Sequence, residues 1–191
     1  MKKITALLLV VIMALSMAAC GASGSNETTG SKVVVPASAE EILTNVWNLY
    51  GDAEKFPIIG GNMEAMIMDT PAAWDMTYAE NLTYNLLVPA DKLANVDAAA
   101  SMIHMMNANT FTCGTLHLTA GTDAKAFAQT MRDAVMNNQW MCGFPEKLIV
   151  AVVGGEYILV SFGVNDAMNP FQTHFATAYP AAEILFNEAI A

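Results

Sequence analysis

The stretch KLIVAVVGGEYILVSFGV, residues 147–164, contains two apolar runs on either side of a glycine pair. Runs rich in β-branched and aromatic residues are typical of β-strands, so we predict strands at 147–153 and 157–164. Gly154 and Gly155 suit a tight turn that requires positive φ angles, and the stretch therefore predicts a β-hairpin. The second strand is the more apolar of the two, which favours a position in the middle of a sheet.

The chain before this hairpin predicts a third strand and a helix. Residues 110–119 are rich in threonine, as expected for a strand. The next segment has apolar residues at helical spacing, namely Phe127, Met131, Ala134 and Val135. These elements predict a β-α-β unit with one hairpin strand inserted, in the strand order 110–119, 157–164, 147–153.

This strand order bears on two of the cysteines. Cys113 lies on one predicted outer strand, and Cys142 lies shortly before the other. Strands lie about 4.8 Å apart, which puts the outer two about 9.6 Å apart. A disulfide needs Cα atoms within about 7 Å, so we predict two free thiols. The alternative is a disulfide, because a lipid on Cys20 would leave these two cysteines as an even pair.

Three further segments have helical patterns. Ser38 and Glu41 form a capping box that predicts a helix over 39–50. Residues 92–106 predict another helix, because one helical face would carry Leu93, Val96, Ala100 and Ile103. The chain from residue 165 to its end is helical in composition, and we expect Pro180 to kink or split it.

The expected fold class is α+β. We predict a small, mainly antiparallel sheet of three or four strands, in split β-α-β plus hairpin order, with helices packed on it. Residues 52–90 contain several prolines and glycines and give no clear pattern.

Charge excludes one class of partner. The 191 residues include 18 acidic and 8 basic side chains, a formal charge of −10 at pH 7. A nucleic-acid-binding protein needs clustered lysine and arginine, so we expect no nucleic-acid partner. The length suits one ordinary domain with an appendage.

The N-terminus has the pattern of an export signal. Two lysines precede an apolar run over residues 4–19, which is too short to span the hydrocarbon layer of about 30 Å. The run ends in small residues before Cys20 and resembles the lipobox of bacterial lipoproteins. This resemblance implies removal of the signal peptide 1–19 and a diacylglycerol on Cys20. An ordinary signal peptide cut near Ala19 is the alternative.

The predicted mature chain has three parts: Cys20 with its lipid, a flexible tether up to residue 37, and one α+β domain over 38–191. Loss of the two leader lysines leaves 6 basic against 18 acidic residues, a formal charge of −12. An anionic membrane surface repels such a body. We therefore expect membrane contact through the lipid at Cys20, on the extracytoplasmic face of the cell membrane.

The chain resembles a family of uncharacterised lipoproteins with a domain of unknown function from Gram-positive, Clostridia-like bacteria. The resemblance rests on the Cys20 lipobox with its polar tether, on the Met105-Met106-Asn107 step before the strand at 110–119, and on the strand, helix, hairpin and helix order. It implies a lipid-anchored envelope protein. It implies no activity and no catalytic residue.

Motifs for catalysis and metal binding are sparse. The sequence has no G-x-S-x-G or S-x-x-K motif and no glycine-rich phosphate loop. Cys113 or Cys142 with a histidine remains a candidate nucleophile pair. His104, His117 and His174 are spread along the chain, so we expect no zinc site and no cofactor.

Methionines raise a copper alternative. Met63, Met66 and Met68 form one cluster, and Met102, Met105 and Met106 surround a histidine. Thioethers at such spacing suit Cu(I) outside the cytoplasm. Methionine is also an ordinary filler of apolar cores, which is the competing interpretation.

Aromatic residues give the best indication of binding. Trp74, Tyr78, Tyr84 and Trp140 lie outside clear core patterns, so we name them as candidate ligand-binding residues. The alternative is that they pack the poorly patterned segment 52–90. The function expected is non-catalytic binding of a small ligand or an envelope protein by a lipid-anchored domain. An envelope enzyme of hydrolase type and a methionine-rich copper carrier are the alternatives.

Overall fold

The computed structural model describes residues 35–190, apart from the side chain of Asn107. Its helices are α1 (Ala39–Trp47), α2 (Leu82–Asn85), α3 (Ala124–Met136) and α4 (Asn165–Ala178). Its strands are β1 (Ile58–Gly60), β2 (Ile67–Met68), β3 (Ala72–Ala73), β4 (Val96–His104), β5 (Phe111–Leu118), β6 (Lys147–Val153), β7 (Tyr157–Gly163) and β8 (Glu183–Ala189). The predicted leader and Cys20 lie outside the described residues.

None of the helices within residues 35–190 is both long enough and apolar enough to cross a membrane.

The eight described strands form one antiparallel sheet with the order β2-β1-β4-β5-β7-β6-β8, and β3 pairs with β4. The predicted sheet of three or four strands is therefore wrong in size, although the fold is α+β. The predicted order of the three central strands is confirmed, because β7 lies between β5 and β6. The predicted hairpin is confirmed as well, with Gly154 at φ 62° and Gly155 at φ 88°.

Strand β4 replaces most of the helix predicted over 92–106. It pairs with β5 along its length and is buried on both faces. A strand covered on both faces has no polar alternation, so its apolar residues can fall by chance at helical spacing. Pairing with β5 and cover on both faces outweigh the helix propensity of Ala98, Ala99 and Ala100.

Strand β8 corrects the prediction of a helical C-terminus. The helix α4 ends at Ala178, and Pro180 separates it from the last strand. β8 pairs with β6, and the Arg132 guanidinium of α3 holds Glu188 of β8 at 2.7 Å. These partners are distant in sequence, and so the local pattern did not predict the strand.

The sheet buries an apolar layer on each face. We call face A the side covered by α1 and α4, and face B the side covered by α3 and by the segment 74–95 that includes α2. Ser38 caps α1 as predicted, since its Oγ accepts from the Glu41 N–H at 3.1 Å. Residues on face B of the central strands include Leu116, Leu148, Val150 and Phe162.

The two ends of the sheet differ. At one end Pro36 lies against the β6–β7 turn, where a Cβ added at Gly154 would meet the Pro36 Cδ at 3.0 Å. We call this end the near pole, because the described chain begins there. The far pole contains the end of β4, the start of β5 and the end of β7. Strands of seven or eight residues put the poles about 25 Å apart.

The two described cysteines are both free thiols. Cys113 is fully buried within β5, and burial raises the pKa of its thiol. Cys142 is exposed in the segment before β6. Cys113 does not lie on an outer strand as predicted, because β4 and β7 flank β5.

Candidate functional site

The structure brings together two of the four aromatic residues proposed from the sequence. Tyr84, which is 82% exposed, and the half-buried Trp140 line one cavity of about 340 Å³. Trp74 is 5% exposed, and its indole N–H donates to the carbonyl of Tyr78 at 3.3 Å. Trp74 therefore packs the 74–95 segment, as the alternative interpretation stated. Tyr78 is exposed but does not line the cavity.

We call this cavity the aromatic cleft. Its floor is face B of the central sheet, where Thr112 of β5 lies opposite Phe162 of β7. One wall comes from α2 and the residues after it, Thr83, Tyr84, Asn85 and Leu87. The other wall comes from the segment after α3, with Asn138 and Trp140. The Trp140 ring lies 5.3 Å from that of Phe162, centroid to centroid.

A glycine in the sheet positions the α2 wall. A Cβ added at Gly114 of β5 would lie 2.6 Å from the Leu86 Cδ1, so the side chain of Leu86 packs directly on the strand backbone. The N–H groups of Leu86 and Val88 both donate to the carbonyl of Leu82, which closes α2. Leu87 between them has a φ of 59°, in the left-handed region that glycine normally occupies at a helix end.

Unpaired polar groups surround the aromatic cleft. The indole N–H of Trp140 is buried and has no hydrogen-bond partner among residues 35–190. An unpaired buried donor costs about 1–3 kcal/mol. The side-chain amides of Asn85 and Asn138 make no hydrogen bond to another described residue. The cleft therefore offers hydrogen-bonding groups that the fold itself does not use.

A second cavity of about 140 Å³ adjoins the aromatic cleft. The two share Thr112, Trp140 and Phe162, and the second extends to His104 and Cys142 at the far pole. The Nδ1 of His104 accepts from the Met106 N–H at 2.9 Å, so the neutral ring carries its proton on Nε2. Burial lowers the pKa of His104 below its usual value and favours this neutral form.

This tautomer bears on the nucleophile pair considered from the sequence. His104 and Cys142 line the same cavity, but an Nε2 that carries a proton cannot accept one from the Cys142 thiol. Cys113 is buried inside the sheet, away from the cleft. The structure therefore gives neither cysteine a base that activates it within the described residues.

The other metal and histidine candidates are dispersed. Met63, Met66 and Met68 are exposed along the β1–β2 hairpin, whereas Met102 is buried in the face A core. Residues 35–190 contain no group of three or more His, Cys, Asp or Glu side chains that could hold a metal ion. His117 pairs with Asp97 at the near pole, and the His174 Nε2 lies 3.5 Å from Glu54.

The comparisons with known proteins add no family. No protein family model, curated protein or solved structure matches the chain. The resemblance to the uncharacterised lipoprotein family stays a prediction.

Sequence reasoning found the rings of the aromatic cleft but missed its polar wall. Asn138 lies just beyond the helical pattern that includes Met131 and Val135, and Asn85 lies in a segment without a clear pattern. The two residues are far apart in the chain, and only the packing of α2 and the post-α3 segment onto face B brings them to one cavity.

Proposed function

We propose that this chain is a lipid-anchored extracytoplasmic protein whose domain binds a ligand or partner at the cell envelope without catalysis. The aromatic cleft is the binding site. The observation that carries the proposal is a cavity of about 340 Å³ whose walls hold the rings of Tyr84 and Trp140 and the amides of Asn85 and Asn138, which bond to no other described residue. Ligand sites are commonly concave, with aromatic walls and a few unsatisfied polar groups that orient the ligand.

Two features of the site favour binding over hydrolysis. Within the described residues, the only imidazole beside the cleft is that of His104. Its neutral ring carries the proton on Nε2, and its Nδ1 is already used by the Met106 N–H. The floor residues Thr112 and Phe162 belong to central strands, whose backbone is held by neighbours on both sides. A rigid floor with donors but no general base is suited to holding a ligand.

The anchor part of the proposal rests on the lipobox and is tested separately. In the Cys20→Ala variant we expect the protein to be left unprocessed or released from the membrane. Fractionation of cells and immunoblotting measure both. A variant that is still processed and membrane-bound like the natural chain contradicts the lipid anchor.

The proposed ligand binding is tested by following the NMR signals of the tryptophan indole N–H groups. The chain has three tryptophans, which give three indole signals in a ¹H–¹⁵N NMR spectrum, and Trp140→Phe identifies the one from the cleft. We expect at least one probe from a set of neutral disaccharides, capped tetrapeptides and short alcohols to shift the Trp140 signal saturably. The Trp74 signal, whose N–H is already bonded to the Tyr78 carbonyl, should stay in place. Failure of every probe to move the Trp140 signal contradicts the proposed site.

A further inference from the structure

We infer that the aromatic cleft binds an uncharged carbohydrate. The inference rests on the proposed binding function and names the chemical class of its ligand. Four features of the described cleft support the inference. Its walls are uncharged, the strands of its floor have no free backbone edge, its side-chain amides are unpaired, and aromatic rings line its walls.

The described walls and floor carry no charge. The residues that line the aromatic cleft are aromatic, aliphatic, amide or hydroxyl side chains, with no Asp, Glu, Lys or Arg among them. This contrasts with a chain that has 18 acidic side chains. A charged ligand would lose hydration on entering such a cavity without gaining an ion pair, which is strongly unfavourable. The ligand is therefore uncharged where it contacts the cleft.

The floor excludes recognition of a peptide backbone by strand addition. β5 pairs with β4 and β7, and β7 pairs with β5 and β6, so the main-chain groups of both floor strands are already used. Strand addition requires an open sheet edge. The open edges of the described sheet are at β2, β3 and β8, and none of these strands contributes a residue to the cleft.

The polar walls disfavour an aliphatic ligand. Asn85 and Asn138 face no hydrogen-bond partner in the described chain, and the hydroxyl-bearing Thr112 is in the floor. A hydrocarbon chain would cover these amides and the Trp140 N–H without pairing them, and each buried unpaired group costs about 1–3 kcal/mol. The ligand must bring its own hydrogen-bonding groups.

A carbohydrate has the required combination. Its ring carries apolar C–H faces that lie against aromatic rings, and hydroxyls around its edge that both donate and accept hydrogen bonds. Tyr84 and Trp140 provide the rings on opposite walls. The amides of Asn85 and Asn138, on the two walls, provide donors and acceptors. The volume of about 340 Å³ lies within the range of small-ligand sites.

The test uses the full chain in a detergent without a sugar headgroup. Cellobiose, chitobiose, maltose and mannobiose are titrated while the Trp140 indole signal is followed, beside glucuronate and glucosamine as charged sugars. We expect saturable binding of at least one neutral disaccharide and binding at least tenfold weaker for both charged sugars.

Two pairs of variants assign the binding to the cleft. Tyr84→Ala removes an exposed ring of the wall, and Tyr78→Ala removes an exposed ring outside it. Asn138→Asp places a charge in the wall, and Gln139→Glu places the same charge on the exposed neighbouring side chain. We expect at least a tenfold loss of affinity in Tyr84→Ala and Asn138→Asp and less than a twofold change in their controls. Tyr84 is largely exposed, so its removal leaves the fold intact.

The possible failures separate the two proposals. Binding of the tetrapeptides or alcohols alone, with no disaccharide, overturns the carbohydrate inference and leaves the binding function standing. No response of the Trp140 signal to any probe overturns both. Disaccharide binding that is unchanged in Tyr84→Ala and Asn138→Asp places the sugar elsewhere and overturns the inference.

Discussion

Leu87, in the wall of the aromatic cleft, occupies a backbone conformation that glycine normally takes. Its φ of 59° is unfavourable for a side chain with a Cβ by about 1–2 kcal/mol. Leu87→Ala and Leu87→Gly remove similar packing, but only the glycine variant removes this backbone strain. We expect the free energy of unfolding, measured with urea, to be about 1 kcal/mol higher for Leu87→Gly than for Leu87→Ala.

The neighbouring leucine is the matched control. Leu86 is fully buried and has a negative φ of −113°. At that position glycine has no backbone advantage and loses more conformational freedom on folding, so Leu86→Gly should be less stable than Leu86→Ala. If Leu87→Gly is also less stable than Leu87→Ala, the backbone strain at Leu87 is contradicted.

His104 predicts a dependence of stability on pH. Burial lowers the pKa of the folded imidazole below the ordinary 6.5 of the unfolded chain, and protonation would also displace the Met106 N–H from Nδ1. The folded state then binds fewer protons than the unfolded state, so this stabilisation is present above pH 6.5 and is lost as pH falls through the folded pKa. The free energy of unfolding of the natural chain minus that of His104→Gln should shrink from pH 7 to pH 5. A difference that is constant or grows over this range contradicts the assignment.

At the scale of single residues, the sequence identifies side-chain chemistry but not side-chain partners. Tyr84 and Trp140 stand out as aromatics outside an apolar pattern, and both line the cleft. Trp74 and Tyr78 stand out equally, yet Trp74 is buried with its N–H bonded to the Tyr78 carbonyl. Whether an indole is used by the fold or left for a ligand depends on packing, which the local sequence does not contain.

At the scale of elements, one glycine controls how β5 and β7 meet under the cleft. A Cβ added at Gly163 of β7 would lie 2.4 Å from the Thr110 carbonyl oxygen and 2.9 Å from the Phe111 Cα. Both are backbone atoms, so the strands must separate to accept it. We expect Gly163→Ala to lower the free energy of unfolding by about 1–3 kcal/mol. Because Phe162 is adjacent, the variant should also shift the Trp140 indole signal.

Gly51 provides the comparison for this substitution. A Cβ there would meet only the Glu54 side chain, at the ordinary contact distance of 3.5 Å, and its φ is not positive. Urea unfolding of Gly51→Ala should match that of the natural chain within about 0.5 kcal/mol. Equal stability of the two alanine variants shows that the β5–β7 approach tolerates a side chain and contradicts the prediction.

The elements that the sequence predicts are those whose pattern is local. The hairpin β6–β7 has its signal in 147–164, and α3 has an apolar stripe along one face. β4 and β8 have no such signal, because β4 is covered on both faces and β8 is held by β6 and by Arg132. The sheet was therefore predicted too small, and the short strands β1, β2 and β3 add to the difference.

At the scale of the whole molecule, the topology separates the start of the domain from the aromatic cleft. Pro36 lies at the near pole against the β6–β7 turn, whereas the cleft extends toward the far pole. Exposed apolar side chains surround the far end, among them Met105, Met106, Met141 and Phe144. A chain anchored at Cys20 and entering at the near pole would present the cleft away from the membrane. This orientation is an expectation that follows from the strand order together with the predicted anchor.

The orientation is tested by quenching from the membrane. A fluorophore on the exposed Cys142 marks the far pole, and one on Glu156→Cys in a Cys142→Ser background marks the near pole. In vesicles whose lipid headgroups carry a quencher, we expect stronger quenching at residue 156. The two labelled positions lie about 25 Å apart along the strands.

Two controls test whether the label is specific for the intended cysteine and whether quenching requires the lipid anchor. Cys113 is buried and its thiol pKa is raised by burial, so the fluorophore should not label it in the folded chain. The same labels on the released form of Cys20→Ala, purified from the soluble fraction, should show little quenching at either pole. Equal quenching at residues 142 and 156 in the anchored protein, or stronger quenching at 142, shows that the cleft does not face away from the membrane.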